Sequence, residues 1–334
     1  MQKYLVKILE CPKCHGKLDW NITEQSHDRI EVAEARCQDC SSTYPIRDGI
    51  AVFLTMDLKR NDLWEQVDNR LDQLLKQYPE MEKRLMDVPL DTLGPVDQWY
   101  RGDVHKNRGD VEAADAAYSI SYKGLHSAET VRCTENQMDY VINEVSQSKS
   151  PIVDLASGSC GLVRRMLKAL PNSIVVTDFS PTVLVKNRKW LKKQGLYDRV
   201  SLLAFDARQT PFATDSISML TTLLGLNNIQ NPGNLLEELY RIVNGKLLSV
   251  SQFYPEDDKE NGTLIEEGGL TESCYRNKLI EHFHNAGWAV EVKNSSNIKT
   301  IPAPPGVVLE GARVDGLPVQ STYLEWCVLL GTNA

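Results

Sequence analysis

Ile152-Val153-Asp154-Leu155-Ala156-Ser157-Gly158-Ser159-Cys160-Gly161 is a short apolar strand that ends on an acid and runs into a turn of small residues. Leu162–Leu170 then repeats apolar side chains at helical spacing. This order of strand, small-residue turn and helix leaves backbone open to a ligand at the carboxyl end of the strand. A large side chain at Ala156 or Gly158 would occupy that space. The next apolar run, Ile174-Val175-Val176-Thr177, ends on Asp178, whose carboxylate can accept hydrogen bonds from both hydroxyls of a ribose. Acids at two adjacent strand ends predict an adenosine site in a doubly wound α/β domain.

The dinucleotide-binding pattern needs Gly at three positions that are here Ala156, Gly158 and Cys160. Asp154 at the start of the turn suits a cationic ligand without phosphate. The stretch resembles the first motif of class I S-adenosylmethionine-dependent methyltransferases, and the likeness runs over about residues 130–334. Asp178-Phe179-Ser180 resembles their second acidic motif. Phe205-Asp206-Ala207, with Thr210-Pro211-Phe212 and Asp215-Ser216-Ile217-Ser218, resembles the adenine-contacting turn and the start of the fourth strand. Leu235–Val243 resembles the helix that follows, leading into a strand over Leu247–Phe253. The resemblance implies a seven-stranded, mostly parallel sheet with helices on both faces and an antiparallel last strand. It also implies S-adenosylmethionine held by Asp154, Ala156, Ser157, Gly158, Asp178, Phe179, Asp206, Ala207 and Leu223.

Two positions depart from that family. Cys160 stands where many members carry Gly, and Asn227-Asn228 where small-molecule members often carry His. A neutral amide takes no proton at ordinary pH, so no catalytic residue is assigned. Transfer to a thiolate, an amine or a stabilised carbanion needs no strong base, and positioning then carries the rate. The bland alternative is a doubly wound domain in which Gly158 serves only the turn and Asp178 caps the next helix.

Cys11-Pro12-Lys13-Cys14 and Cys37-Gln38-Asp39-Cys40 are two C-x-x-C knuckles separated by 22 residues. Four thiolates at these spacings can surround one Zn tetrahedrally and close a ribbon too small to fold on apolar burial alone. A redox pair or unligated thiols are the alternative, and His15 is a possible replacement ligand. With Tyr44-Pro45-Ile46-Arg47-Asp48-Gly49-Ile50, the segment resembles the small zinc-ribbon activator proteins that partner methyltransferases. Cys133, Cys274 and Cys327 read as small buried residues, and Cys160 lies close to the expected ligand.

The chain has 334 residues and a formal net charge of −8, which argues against broad binding to nucleic acid or anionic membrane. Arg164, Arg165 and Lys168, or Lys186, Arg188, Lys189, Lys192 and Lys193, are the candidate basic patches; solvated helix faces are their simpler reading. No run is long and apolar enough to cross a bilayer, and Met1–Leu5 begins no signal-peptide core, so a cytoplasmic location is expected.

The expected divisions are a zinc ribbon over 1–56, a helical linker or cap over 57–130 and the cofactor domain over 131–334. Leu63, Trp64, Val67, Leu71, Leu74, Leu75 and Tyr78 predict a helix that Pro79 ends or bends. Pro89 and Pro95 break the chain again, and Asp110–Tyr118 predicts a short helix. Trp99, Tyr118 and Tyr122 either wall an active site or form the core of the insertion. Thr271 is expected to cap a helix in which Tyr275, Leu279 and Phe283 share a face and which Gly287 ends. His282 and His284, two apart, point to different sides and make no metal pair. Strands over Ala289–Val292 and Cys327–Gly331 complete the sheet, with a long loop from Ile301 to Gln320 on the substrate side. The acidic loop Pro255–Glu260 reads as solvated.

These observations predict an S-adenosylmethionine-dependent methyltransferase with a zinc ribbon, acting on a small molecule. The alternatives are an enzyme modifying ribosomal or transfer RNA, which the acidic balance disfavours, and a noncatalytic scaffold with a vestigial cofactor pocket.

Overall fold

The computed structural model describes residues 1–55, 73 and 75–333. Its strands are β1 (Leu18–Ser26), β2 (Arg29–Cys37), β3 (Thr43–Arg47), β4 (Ile50–Val52), β5 (Ile152–Asp154), β6 (Ile174–Asp178), β7 (Val200–Ala204), β8 (Ile217–Leu223), β9 (Val243–Phe253), β10 (Trp288–Thr300) and β11 (Thr322–Asn333). They form one sheet in the order β1-β2-β3-β4-β7-β6-β5-β8-β9-β11-β10. The strands β5 to β11 are the seven expected. β11 runs antiparallel to both β9 and β10, while β5 to β9 pair in parallel.

The sheet is larger than seven strands because the ribbon continues it. β1 to β4 form an antiparallel meander, and β4 pairs in parallel with β7, Ile50 opposite Leu202 and Val52 opposite Ala204. Apolar packing follows the same join. Met1, Leu5, Ile46 and Phe53 are fully buried in one layer with Leu203 and Phe212.

The helices are α1 (Pro79–Asp87), α2 (Pro95–Asn107), α3 (Val111–Leu125), α4 (Ala128–Val145), α5 (Gly161–Ala169), α6 (Pro181–Lys193), α7 (Pro232–Ile242), α8 (Lys259–Glu267), α9 (Thr271–Cys274) and α10 (Arg276–Asn285). α7 and α10 cover one face of the sheet through Leu235, Leu239, Leu279 and Phe283. α4, α5 and α6 cover the other through Val141, Leu162, Met166 and Leu191. With both faces covered, β5, β6 and β7 are buried along their whole length, which explains their unbroken apolar runs. A third, smaller cluster joins Leu85, Val96 and Tyr100 of the cap helices to Leu309 of the loop after β10.

Several local expectations change. The notional helix through Leu63, Trp64, Val67, Leu71 and Leu74 lies outside the described residues. The helical residues 75–77 stop at Tyr78, as the proline predicts, and Pro79 is the first residue of α1, where its missing N–H costs no hydrogen bond. Thr271 is not a cap: Leu270 holds that position without a side-chain bond, and the expected single helix is split at Tyr275 into α9 and α10. The acidic loop is not merely solvated, because Asp258 caps α8 by accepting from the Asn261 N–H at 3.2 Å and also accepts from Gln320. β10 and β11 extend well beyond the short apolar runs that announced them. Among the described residues no helix is long and apolar enough to cross a membrane.

Candidate functional site

The turn after β5 is built from left-handed backbone. Ala156, Gly158 and Cys160 have φ of 50°, 49° and 63°. For residues with a Cβ this conformation costs roughly 1–2 kcal/mol each, so strain is concentrated where backbone faces the strand ends. The Ser157 N–H donates to the Thr177 carbonyl at 2.7 Å, and the Gly158 N–H donates to Asp178 Oδ2 at 2.9 Å. Asp178 Oδ1 accepts from the Ser180 N–H at 2.9 Å.

Asp154 is 2% exposed, and its Oδ1 accepts from the Thr221 hydroxyl at 2.7 Å. Burial pushes its carboxyl up to about 6, against the hydrogen bonds from Thr221 and Ser157. The Phe205 N–H donates to the Asp178 carbonyl, which brings the end of β7 beside that of β6. Asp206 is buried and clamped by its own neighbour: Arg208 donates from Nε to Oδ1 at 2.9 Å and from Nη2 to Oδ2 at 2.7 Å. Ala207 is buried, whereas Phe179 and Leu223 are half-buried. A Cβ on Gly161 would stand 3.6 Å from Leu223 Cδ2, so the end of β8 meets the same turn. The nine residues expected to hold the cofactor therefore lie at the carboxyl ends of β5, β6, β7 and β8.

Three further residues shape this site. Asn187 of α6 donates to the Gly158 carbonyl at 2.9 Å, Thr221 holds Asp154, and Gly225 lets the chain after β8 close on the turn. A Cβ on Gly225 would fall 2.2 Å from Thr222 Oγ1 and 3.1 Å from that of Ala156. Thr221 had a signal in the sequence, a hydroxyl inside an apolar strand. Asn187 had none, since only the packing of α6 carries it to Gly158.

The other candidates resolve into structure. Cys160 is buried, and burial pushes its thiol up to about 12, so it is no thiolate nucleophile. Asn227 donates to the carbonyls of Gln252 and Ser273 at 3.0 and 2.8 Å, a fully used amide that ties β9 to α9. Trp99 packs on Tyr118 with ring centroids 4.8 Å apart and joins the core of the cap. His282 pairs with Glu272. Cys133, Cys274 and Cys327 are buried and unbridged.

In the ribbon, the Sγ atoms of Cys11, Cys14, Cys37 and Cys40 lie within 4.8 Å of one another, the one such cluster of possible metal ligands among the described residues. Zn–S bonds of about 2.3 Å set tetrahedral sulfurs roughly 3.8 Å apart, and this set fits one Zn. The Tyr44 hydroxyl lies 3.2 Å from Cys11 Sγ and the Ser42 hydroxyl 3.3 Å from Cys40 Sγ, polar support for thiolate charge. Gly16 packs closely at the first knuckle, where a Cβ would meet Asp39 Oδ2 at 2.2 Å and Cys37 Sγ at 3.0 Å. His15 turns to Glu10 at 2.7 Å instead of joining the thiols.

Residues 131–277 match the ubiE/COQ5 methyltransferase family, and residues 2–49 match the Trm112p-like proteins. A ubiquinone/menaquinone biosynthesis C-methyltransferase of Dinoroseobacter shibae is 30% identical over 118 residues, 35% of this chain and 46% of that protein. The enzyme of the same name from Legionella pneumophila is 30% identical over 101 residues, 29% of this chain and 40% of that protein. The chain thus spans under half the length of these relatives. Among solved structures, the YcgJ protein of Bacillus subtilis superposes with a TM-score of 0.48 at 12% identity, over 60% of this chain and 99% of that one. The segment similar to the ubiE/COQ5 methyltransferases and the segment similar to the Trm112p-like proteins are joined here in one chain and, through β4 and β7, in one sheet.

Proposed function

We propose that the chain is an S-adenosylmethionine-dependent methyltransferase acting on a small molecule, with a zinc ribbon built into its sheet. The observation that carries the reading is the pairing of the left-handed Ala156–Cys160 turn with Asp178, bonded through the Gly158 N–H at adjacent strand ends. In this reading Asp178 holds the ribose hydroxyls and Asp154 faces the cationic methionine end. Ala156, Ser157 and Gly158 give the backbone approach, while Phe179, Asp206, Ala207 and Leu223 flank the base. The bound cofactor supplies a methyl group on a sulfonium, which carries its own leaving group. The protein contributes binding, orientation and exclusion of water.

A small acceptor is favoured over RNA because the three arginines of the basic helix faces are each paired with a carboxylate. Arg164 pairs with Asp115, Arg165 with Asp139 and Arg188 with Asp48. The activity named for these relatives, C-methylation in ubiquinone/menaquinone biosynthesis, points the same way. The reading divides the chain at about residues 56 and 130 into ribbon, cap and transferase, supported by the separate apolar cluster of the cap. It places the protein in the cytoplasm, where thiol ligands stay reduced.

Titration calorimetry tests the reading. Asp178→Ala is expected to weaken S-adenosylhomocysteine by about 1.5–3 kcal/mol, the worth of hydrogen bonds to a charged group. Wild-type protein that binds neither S-adenosylhomocysteine nor S-adenosylmethionine would refute it.

A further inference from the structure

Asp206 and Arg208 stand two residues apart on the turn after β7 and form an ion pair held by three hydrogen bonds. The Arg208 backbone N–H and its Nε both donate to Asp206 Oδ1 at 2.9 Å, and Nη2 donates to Oδ2 at 2.7 Å. One residue thus engages both oxygens of the carboxylate. The planar fork of a guanidinium fixes the plane of a carboxylate as well as its place, which an ammonium cannot do. The Asp206 side chain is 8% exposed and that of Arg208 is 20% exposed, so the pair reaches the surface of the site with the acid as its deeper member. At that depth an unpaired carboxylate would be costly, and Arg208 balances it from within the same turn.

The turn does not rely on the Arg208 side chain for its backbone path. The Phe205 N–H donates to the Asp178 carbonyl at 3.2 Å, and the Gln209 N–H donates to the Asp206 carbonyl at 2.9 Å. Gln209 Oε1 accepts from the Thr55 hydroxyl at 2.8 Å. Beyond it, Glu238 Oε1 of α7 accepts the N–H and the hydroxyl of Thr210 at 2.8 and 2.6 Å. The segment is anchored at Phe205, at Gln209 and at Thr210 by bonds that omit the guanidinium. The effect of the fork therefore falls on the Asp206 carboxylate, whose two rotatable bonds it locks.

A carboxylate only accepts hydrogen bonds, and the exocyclic amine is the one N–H donor of an adenine joined to a ribose. In the methyltransferase reading Asp206 flanks that base, on the strand end next to the one that carries Asp178. The base is neutral. With its charge already balanced by Arg208, Asp206 can meet a neutral amine without a further cation.

We propose that Arg208 is the positioning residue of base recognition: its fork aims the Asp206 carboxylate at the exocyclic amine and makes the site select adenine over an oxo purine. The inference rests on the methyltransferase reading above and adds to it a residue outside the nine assigned to the cofactor. Inosine carries a carbonyl where adenosine carries the amine, so it sets an acceptor against a carboxylate that cannot turn away. Loss of the fork frees the carboxylate to rotate, which weakens the bond to the amine and relieves the repulsion of the carbonyl. Both changes lower the same quantity, the preference for adenine.

The test is titration calorimetry of the zinc-loaded full chain with S-adenosylhomocysteine and with S-inosylhomocysteine, and melting of each variant reports its folding. The unsubstituted chain should prefer S-adenosylhomocysteine by about a hundred-fold or more, as a site built to bond the distinguishing group does. Arg208→Gln should lower that ratio about ten-fold, the worth of one hydrogen bond to a charged group. Arg208→Lys should lower it as well, because it keeps the charge and loses the fork. Asp206→Asn should also reduce the preference, and adding Arg208→Gln to it should reduce it no further. Equal weakening of the two ligands in the Arg208 variants would make the pair a piece of turn structure and overturn the proposal. A ratio kept by Arg208→Lys would overturn the role of the fork. Adenosine and inosine, titrated alongside, separate the two readings. Preference for adenosine without binding of S-adenosylhomocysteine sinks the methyltransferase reading and leaves the base reader. Binding of S-adenosylhomocysteine with a ratio near one sinks the base reader alone, and binding of neither nucleoside nor cofactor sinks both.

Discussion

β1 and β6 belong to one sheet but are held in it by different forces. β1 is an outer strand with six consecutive exposed residues, Asn21 to Ser26, among them Glu24 and Gln25, which discourage pairing with other chains. β6 lies between β5 and β7 and is buried at all five positions, Ile174 to Asp178. The centre is held by apolar burial on both faces and by ladders on both sides. The ribbon edge depends on a thiol cluster at one end and on docking through Phe53 and β4 at the other. A metal module can therefore be continuous with a larger core and still keep a separate source of stability.

Removing the metal should have the largest effect and break the comparison most directly. Zinc binding is worth about 10–16 kcal/mol in isolated zinc modules, and chelation or Cys37→Ser should release the knuckles and β1 to β3. Hydrogen exchange is the measurement: amides of β1 to β3 should lose protection while those of β5 to β8 keep it. Protection unchanged everywhere would mean that docking alone holds the ribbon, and a one-step loss across both regions would mean that no boundary exists.

Phe53→Ala attacks the other end of the ribbon. This ring is fully buried, 5.2 Å from Tyr44 and 6.4 Å from Trp20, and its loss should cost about 3–5 kcal/mol in denaturant unfolding of the zinc-loaded chain. A cost below about 1 kcal/mol would show that ribbon and sheet share a surface but little stability.

Asp154 sharpens the contrast from the side of the central sheet. Its folded pKa of about 6 lies above the ordinary 3.8, so between these values the folded state binds more protons than the unfolded state. Stability contributed by this group is present below about pH 4 and falls as pH rises to about 6, by roughly 3 kcal/mol in total. Asp154→Asn should flatten that slope, read as the pH dependence of the urea midpoint. A slope identical in the variant would show that burial does not penalise this carboxylate.

The smallest effect is expected at the surface. Arg165→Ala removes pairs with Asp139 and Glu135 that are largely solvated and should change stability by under about 1 kcal/mol. A larger loss in a melting experiment would give the α4–α5 contact a share in holding the domain that the buried layers are here assigned.

Local chemistry was legible wherever one residue type at one spacing has few other uses. Two C-x-x-C knuckles announced the thiol cluster, and an acid and small residues after a short apolar run announced the turn at Ala156–Cys160. Reading failed where neighbours in space compete with local preference. Thr271 looks like a cap, but the chain breaks at Tyr275 and spends that position differently. Asp258 looks solvated, but α8 needs its N-terminal N–H groups satisfied and takes it.

The amino-acid sequence by itself determined the strand-turn-helix over 152–170 and the four thiols, because periodicity, backbone permissiveness and ligand spacing act within a few residues, while the seven-stranded part of the sheet was implied by the family resemblance. Tertiary structure alone decided that β4 would pair with β7, that Asn187 would reach Gly158, and that Glu238 would hold Thr210. Each of these joins segments at least 28 residues apart through register and packing, and no local pattern encodes which distant backbone or side chain completes a hydrogen bond.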